Sequence, residues 1–177
     1  PKGHILIDAI DLEEAAARQA AENFAASPWN VRLNCIQGDA RTYAFHDKYD
    51  LIICNPPFFK DSLLGDDKKR NQARHSIHFS LDDLMNIITA NLHNDGYVSV
   101  LLPVAEQADW ARLLYSNGYY MSRLNIQPHT NKPANRVITL SSKKDLSIQS
   151  TDLPIRDTAG GYSREFGLLL QPYYLNI

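Results

Sequence analysis

The fold of this 177-residue chain is decided by residues 49–58, which read YDLIICNPPF. Residues 49–54 form an apolar run broken only by Asp50, as expected of a strand buried in a parallel sheet. The run ends abruptly at Asn55, because the two prolines that follow have no N–H to donate to a sheet. In open α/β sheets, ligands bind just beyond the carboxyl ends of the strands. The stretch therefore predicts a strand of an α/β sheet that ends in a functional turn.

A strand–helix–strand segment precedes this stretch. Apolar runs from His4 to Ile10 and from Val31 to Ile36 predict strands. Between them, the alanine- and glutamate-rich segment from Leu12 to Phe24 predicts a helix, which ends before Ser27-Pro28.

The alternation continues downstream and then changes. Leu81 to Leu92 and Glu106 to Ser116 predict helices on either side of a strand from Tyr97 to Leu102. The next two strands, Tyr119 to Ile126 and Arg136 to Leu140, have a connection too short for a crossover helix. These last two strands are predicted to pair as an antiparallel hairpin.

The tail completes the predicted fold. Ser147 to Ile155 is an extended stretch, and Ser163 to Leu175 is amphipathic, so we expect a strand and a helix that cover the sheet. The fold class predicted is α/β, with a mostly parallel, doubly wound sheet that ends in an antiparallel hairpin. We expect one domain over residues 1–177.

Composition excludes several classes of protein. The chain is 44% apolar and 21% charged with a net charge of −2, which excludes a disordered or collagen-like protein. Two isolated cysteines, Cys35 and Cys54, make neither a disulfide framework nor a zinc site, so we expect a reducing, cytoplasmic compartment and no metal. No apolar stretch reaches the roughly 18 residues of a membrane span, so we expect no membrane partner.

Carboxylates follow the first two strands. Asp11 stands where the second strand of a nucleotide-binding sheet presents a carboxylate to a ribose, although a helix start also favours an acidic residue. Asp39, between Gly38 and Ala40, can accept a hydrogen bond from an exocyclic amine such as that of adenine. An aspartate in a simple turn is the alternative reading of Asp39.

The turn after the central strand combines acceptors with an aromatic ring. Pro56 and Pro57 fix two φ angles, so the Asn55 side chain and the carbonyls of Asn55 and Pro56 are held in one geometry beside Phe58. Such a pair of acceptors suits an amine that is gripped through its hydrogens while its ring is stacked. The alternative is a proline-stiffened turn with no chemical role.

These three strand ends, in this order, resemble those of class I adenosylmethionine-dependent methyltransferases, and residues 55–58 are similar to their N-P-P-[Y/F] signature. Further segments are similar to the bacterial tRNA(1)Val (adenine-37-N6)-methyltransferase family, over essentially the whole chain. These segments are residues 15–23, 27–29, 72–74, 135–137, 162–163 and 173–175. The resemblance implies a Rossmann-like fold, whose first strand and glycine-rich cofactor loop have no counterpart after Pro1. We therefore expect an N-terminally incomplete domain.

The resemblance also implies the residues of the cofactor site. Its cofactor is S-adenosyl-L-methionine, and the implied contacts come from Asp11 and Leu12 on the ribose side and from Asp39 and Ala40 on the adenine side. Asn55 is the fifth implied contact.

The implied catalytic residues are the four of the signature. Asn55 and Pro56 would hold the target amine, Pro57 stiffens the turn, and Phe58 would stack the target base. The implied reaction is methylation of the N6 amine of adenine 37 in a tRNA.

The distribution of basic residues favours a nucleic acid over a protein substrate, and the resemblance implies that this substrate is a tRNA, held by its anticodon arm. Residues 110–144 carry six basic groups and no carboxylate, and the segment after Phe58 adds Lys68, Lys69, Arg70 and Arg74. The predicted RNA contacts are Lys68, Lys69, Arg70, Arg74, Arg123, Lys132 and Arg136. The alternative is an ordinary solvated face.

Two other functions stay open. The same signature serves other amino-methyltransferases, such as those that methylate adenine in DNA, and protein glutamine N5-methyltransferases, which would make little use of a basic patch. The second alternative is a truncated chain that keeps the fold but is inactive because it lacks the glycine-rich cofactor loop. A monomer is the favoured oligomeric state, and the tRNA species rests on the resemblance alone.

Overall fold

The computed structural model describes residues 5–56, 79–147 and 149–174. The chain divides into two compact units, residues 1–46 and residues 47–177, and each is described by itself. The single domain expected over residues 1–177 stays a prediction.

The first unit is a strand–helix–strand unit. Strand β1 (Ile7–Asp11) is followed by helix α1 (Glu14–Ala26) and strand β2 (Leu33–Gln37). The two strands are parallel, in a register that runs from Ile7 opposite Leu33 to Asp11 opposite Gln37. β1 was expected from His4, but in the described residues it begins at Ile7, where pairing with β2 begins.

The second unit holds a five-stranded mixed sheet. Its elements are β3 (Tyr49–Cys54), α2 (Leu81–Asn91), β4 (Leu92–Pro103), α3 (Gln107–Ser116), β5 (Tyr120–His129), β6 (Arg136–Ser142), β7 (Ser150–Arg156) and α4 (Arg164–Leu170). The strand order is β3-β4-β6-β5-β7. β6 is antiparallel to both β4 and β5, which confirms the predicted hairpin, and the other pairs are parallel.

These pairings define two edges of the five-stranded sheet. The carboxyl ends of β3, β4, β5 and β7 lie at one edge together with the amino end of β6, and we call this the site edge. The amino ends of β4, β5 and β7 lie at the opposite edge with the carboxyl end of β6. Asn55 follows β3 at the site edge, whereas Lys143 and Lys144 follow β6 at the opposite edge.

The core lies between the sheet and the helices α2 and α3. Its fully buried members are Leu84, Ile88, Val98, Val100, Leu102, Trp110, Leu114 and Val137. Trp110 is completely buried, and its indole Nε1 donates a hydrogen bond to Thr139 Oγ1 over 3.1 Å. Thr139 Oγ1 in turn donates to the Val100 carbonyl over 3.3 Å, so the indole N–H is satisfied inside the core.

β4 is longer than the sequence indicated. It was expected from Tyr97, but it begins at Leu92, directly after α2. Gly96 lies within this added part, and a Cβ there would stand 3.0 Å from the Asp50 carbonyl oxygen and 2.9 Å from Leu92 Cδ1. A glycine is therefore required where β3 and β4 approach so closely.

The tail forms the outer border of the sheet. β7 begins at Ser150 rather than Ser147 and pairs with β5, and it carries Pro154. Past β7, Ser163 N donates to the Ile155 carbonyl and Ser163 Oγ donates to the Pro154 carbonyl. Ser163 also caps α4, which is followed by a short 3-10 helix over Gln171–Tyr173.

Within the described ranges, no helix has the length and apolar character that crossing a membrane requires.

Candidate active site

The first unit carries two of the predicted cofactor carboxylates at adjacent strand ends. Asp11 ends β1, and its carbonyl accepts a hydrogen bond from Gly38 N, which follows β2, over 2.9 Å. The Asp11 side chain is exposed, and its Oδ1 accepts from Glu13 N over 2.8 Å. Asp11 therefore accepts a hydrogen bond from the backbone just before α1, in line with the alternative role at a helix start. Its carboxylate is also accessible to solvent. Leu12 is exposed beside it.

Asp39 forms an ion pair with Arg41, a residue that the sequence analysis did not predict to belong to the site. The Arg41 guanidinium lies 2.6 Å from Asp39 Oδ2, and Arg41 N donates to Asp39 Oδ1 over 2.9 Å. These hydrogen bonds from the Arg41 side chain and backbone hold the pKa of Asp39 below its usual value. Asp39 is therefore an ionised acceptor that already has one partner. Ala40 follows it, half-buried.

The second unit carries the predicted catalytic turn. Asn55 is exposed and Pro56, directly after it, is buried, so the asparagine side chain is accessible to solvent at the end of β3. Pro57 and Phe58 lie outside the described residues. Cys54 packs against the core next to Asn55, and burial raises the pKa of its thiol to about 11. The thiol thus stays protonated near neutral pH and offers no nucleophile at this turn.

Glu106 is a residue at the site edge that the sequence reading used only as a helix start. It lies in the 3-10 turn Val104–Glu106 after β4, with a relative exposure of 8%. A carboxyl group is seldom so well buried. The sequence signal that could have identified this position is Pro103. This proline ends β4 and so marks a strand end, much as Pro56 does after β3.

The structure separates the predicted RNA contacts. Arg136 begins β6 and Lys132 lies in the β5–β6 connection, so both belong to the site edge. Arg123 lies within β5, where its Nε donates to Ser150 Oγ over 2.8 Å. Lys68, Lys69, Arg70 and Arg74 lie outside the described residues. Of the six basic residues in 110–144, Lys132 and Arg136 therefore lie at the site edge.

No group of three or more histidine, cysteine, aspartate or glutamate side chains is arranged to hold a metal ion in the part of the chain that the structure describes.

Comparison with known proteins identifies the family. The sequence model of the Methyltransferase small domain family matches residues 1–77. A Yersinia enterocolitica tRNA1(Val) (adenine(37)-N6)-methyltransferase is 32% identical over 97% of this chain and 70% of its own length. The enzymes of the same name from two other Yersinia, Y. pseudotuberculosis and Y. pestis, are 33% identical over 97% of this chain and over 69% and 71% of their own lengths. The chain belongs to the family of the tRNA1(Val) (adenine(37)-N6)-methyltransferases.

Solved structures agree on the fold. A protein of Agrobacterium tumefaciens described as a predicted O-methyltransferase superposes with a TM-score of 0.66 at 15% identity, over 96% of this chain and 80% of its own. A glycopeptide N-methyltransferase in complex with S-adenosyl-L-methionine gives a TM-score of 0.53 at 11% identity, over 78% and 72% of the two chains. The fold is that of class I methyltransferases, as the sequence predicted.

Proposed function

We propose that this chain transfers a methyl group from S-adenosyl-L-methionine to the N6 amine of an adenine in tRNA, namely adenine 37 of tRNA1(Val), as the names of its relatives state for them. The observation that carries the proposal is the exposed Asn55 side chain, which stands on buried Pro56 at the carboxyl end of β3. Acceptors at this position suit an amine that must be oriented rather than deprotonated.

The proposed chemistry rests on two acceptors. Adenine N6 is a poor nucleophile, because its lone pair is delocalised into the ring. Asn55 Oδ1 and the Pro56 carbonyl are proposed to accept the two amine hydrogens, which favours a pyramidal nitrogen with a directed lone pair. When bound, the cofactor supplies an electrophilic methyl group. The amine becomes cationic during transfer, so both acceptors bind the transition state more strongly than the substrate. After the transfer, the methylated amine loses a proton to water, so no side-chain base is needed.

The carboxylates of the first unit fit this cofactor. Asp11 and Asp39 follow neighbouring parallel strands, and carboxylates suit a ribose diol and an adenine amine. Arg41 already donates two hydrogen bonds to each carboxylate oxygen of Asp39, so an adenine amine would bind there in place of the Arg41 side chain. We propose that Asp11, Leu12, Asp39 and Ala40 hold the cofactor.

We expect Asp11→Asn to weaken binding of S-adenosyl-L-methionine by about 10- to 100-fold, because hydrogen bonds to a charged acceptor contribute about 1.5 to 3 kcal/mol each. Isothermal titration calorimetry measures the effect. Asp8→Asn, on the same strand, is the matched control and should bind normally. Equal affinities for both variants would leave Asp11 as a helix-start residue only.

The cations of the site edge support an RNA substrate. Arg136 is exposed and pairs with Pro103 at the end of β4, two strands across the sheet from Asn55, and Lys132 is exposed four residues before it in the β5–β6 connection. Neighbouring strands are about 4.8 Å apart, so the two cations lie within reach of phosphates next to a nucleotide held at Asn55. The roles of Pro57, Phe58, Lys68, Lys69, Arg70 and Arg74 remain part of the proposal, as do a cytoplasmic location and a monomeric state.

We expect K132Q/R136Q to weaken tRNA binding equally for cognate and non-cognate tRNA, since phosphates carry no sequence. The slope of log affinity against log salt should fall by roughly 0.7 to 0.9 for each lost contact. Lys143 and Lys144 at the opposite edge provide the matched control, K143Q/K144Q. If the two double variants bind alike, the cations of the site edge form a solvated face.

Methylation of purified transcripts tests the proposed function directly. The chain should form N6-methyladenosine at position 37 of tRNA1(Val) and none in a transcript with guanosine at that position. A glutamine-containing release-factor substrate is the alternative acceptor. Methylation of that protein, without methylation of either transcript, would replace the tRNA proposal.

A further inference from the structure

A cluster of aromatic rings ends the site edge, beyond β7. Tyr162 and Phe166 stack with ring centroids 5.2 Å apart and an interplanar angle of 19°. The Tyr174 ring packs edge-on against both of them, at 6.2 and 6.1 Å. We call Tyr162, Phe166 and Tyr174 the aromatic corner.

The aromatic corner fixes an arginine. The Arg156 guanidinium lies 5.2 Å from the centre of the Tyr162 ring, and its Nη1 donates to the Gly160 carbonyl over 2.7 Å. Arg156 is nonetheless exposed. An arginine held by a ring and a carbonyl loses little rotamer freedom when it binds an anion or stacks on a base.

Next to the aromatic corner, Tyr173 is exposed to 82%, well beyond the 46% of its neighbour Tyr174. It lies in the 3-10 helix that follows α4, so its backbone is held in regular structure. Its sequence neighbour Tyr174 packs on Tyr162, the ring that holds Arg156, so the exposed ring lies one residue from the cluster that fixes the cation. An exposed aromatic ring and a cation are the groups that bind unpaired nucleotides, since every base offers a π face and every nucleotide a phosphate.

The surroundings favour an anionic partner. His129 is paired with Arg156 across β5 and β7, and Lys132 N donates to the His129 carbonyl, so this surface continues toward Lys132 and Arg136. Asp157 directly follows Arg156 in the sequence. Its carboxylate accepts hydrogen bonds from the backbone N–H groups of Ala159 and Gly161, so it faces the loop that it begins.

We propose that Arg156 and Tyr173 form a second nucleotide-binding site, which holds an unpaired nucleotide of the RNA substrate other than the methylated adenine. The two sites are distinct because Asn55 and Arg156 lie four strands apart, which is roughly 19 Å across the sheet at about 4.8 Å for each strand spacing. Tyr173 stacks on the base, Arg156 contacts its phosphate, and the aromatic corner keeps both in place. The inference rests on the proposed function for its choice of RNA.

Binding of a fluorescein-labelled 17-nucleotide anticodon stem-loop of tRNA1(Val), followed by anisotropy, tests the site. Y173A should bind about 5- to 150-fold more weakly, the range measured for loss of one stacked base, with the salt slope unchanged. Y173F should bind like the parent, because it keeps the ring. R156Q should lower the salt slope by about 0.7, the value for one phosphate of a single strand.

Tyr120 offers a matched control. It is 42% exposed and begins β5, at the opposite edge, so Y120A removes an exposed tyrosine far from the proposed site. It should bind the stem-loop normally. Because Tyr173 is so exposed, Y173A is expected to keep the circular dichroism spectrum and melting temperature of the parent.

The outcomes separate this inference from the proposed function. Y173A should raise the KM for tRNA and leave kcat unchanged, as the site is distant from Asn55. If the parent methylates tRNA and Y173A binds the stem-loop as tightly as Y120A, the inference is wrong and the function stands. If the parent methylates no tRNA but Y173A still loses RNA affinity, the site stands and the function is wrong. A change of oligomeric state in Y173A, by sedimentation and without loss of RNA affinity, would make this surface a protein interface and overturn the inference.

Discussion

Replacement of Asn55 by alanine is expected to lower the single-turnover rate of methyl transfer about 100- to 1000-fold, the cost of removing one preorganised group that stabilises a developing charge. The side chain is exposed and does not belong to the core. The fold should therefore survive the change. Affinity for S-adenosyl-L-methionine should fall much less than the rate, because the carboxylates proposed for the cofactor belong to β1 and β2.

Rapid-quench measurement of N6-methyladenosine, with enzyme in excess over tRNA, gives this rate. Asn94→Ala is a suitable control, since Asn94 is an exposed asparagine in the polar first part of β4. Its rate should equal that of the parent. An unchanged rate in Asn55→Ala would remove this residue from the catalytic site and leave a proline-stiffened turn.

Replacement of Trp110 by alanine is expected to lower the free energy of unfolding by about 3 to 5 kcal/mol, the range for a large aromatic residue removed from a core. Trp110 is completely buried between α3 and the sheet, and its loss would also leave Thr139 Oγ1 without the donor that it now accepts from. Urea titration followed by circular dichroism measures the change.

Tyr115 provides the comparison for this prediction, because it lies on the same helix and is 54% exposed. Tyr115→Ala should change the free energy of unfolding by less than about 1 kcal/mol, as is usual for surface substitutions. A loss below 1 kcal/mol for Trp110→Ala would mean that this core packs loosely around its largest side chain.

The strands that sequence predicted best are those closed by strong local signals. β3 has the predicted bounds, because Asn55 and the prolines allow no further pairing. The β5–β6 hairpin follows from a connection too short for a helix. The start of β4 was predicted five residues too late, because His93, Asn94 and Asp95 carry no apolar signal. These residues belong to the strand because the residues around them pair with β3.

The candidate site was predictable in part. Asn55, Asp11 and Asp39 were predicted as site residues because each follows a predicted strand, and the structure places each at or just after a strand end. The ion pair of Arg41 with Asp39 depends on side-chain conformation, and no periodicity reports it. The sorting of Lys132 and Arg136 from Lys143 and Lys144 follows from the direction of β6, and nothing in the local sequence distinguishes these four cations. The fixing of Arg156 by Tyr162 depends on the path of the tail after β7.

The outer border of β7 bears on how the protein behaves at high concentration. An open strand border exposes a row of N–H and C=O groups that can recruit the backbone of another molecule. Here Pro154 has no N–H to offer, and the carbonyls of Pro154 and Ile155 already accept from Ser163. A neighbouring copy therefore finds no continuous ladder along the second half of this strand. The tail that positions Arg156 thus also guards the protein against edge-to-edge polymerisation.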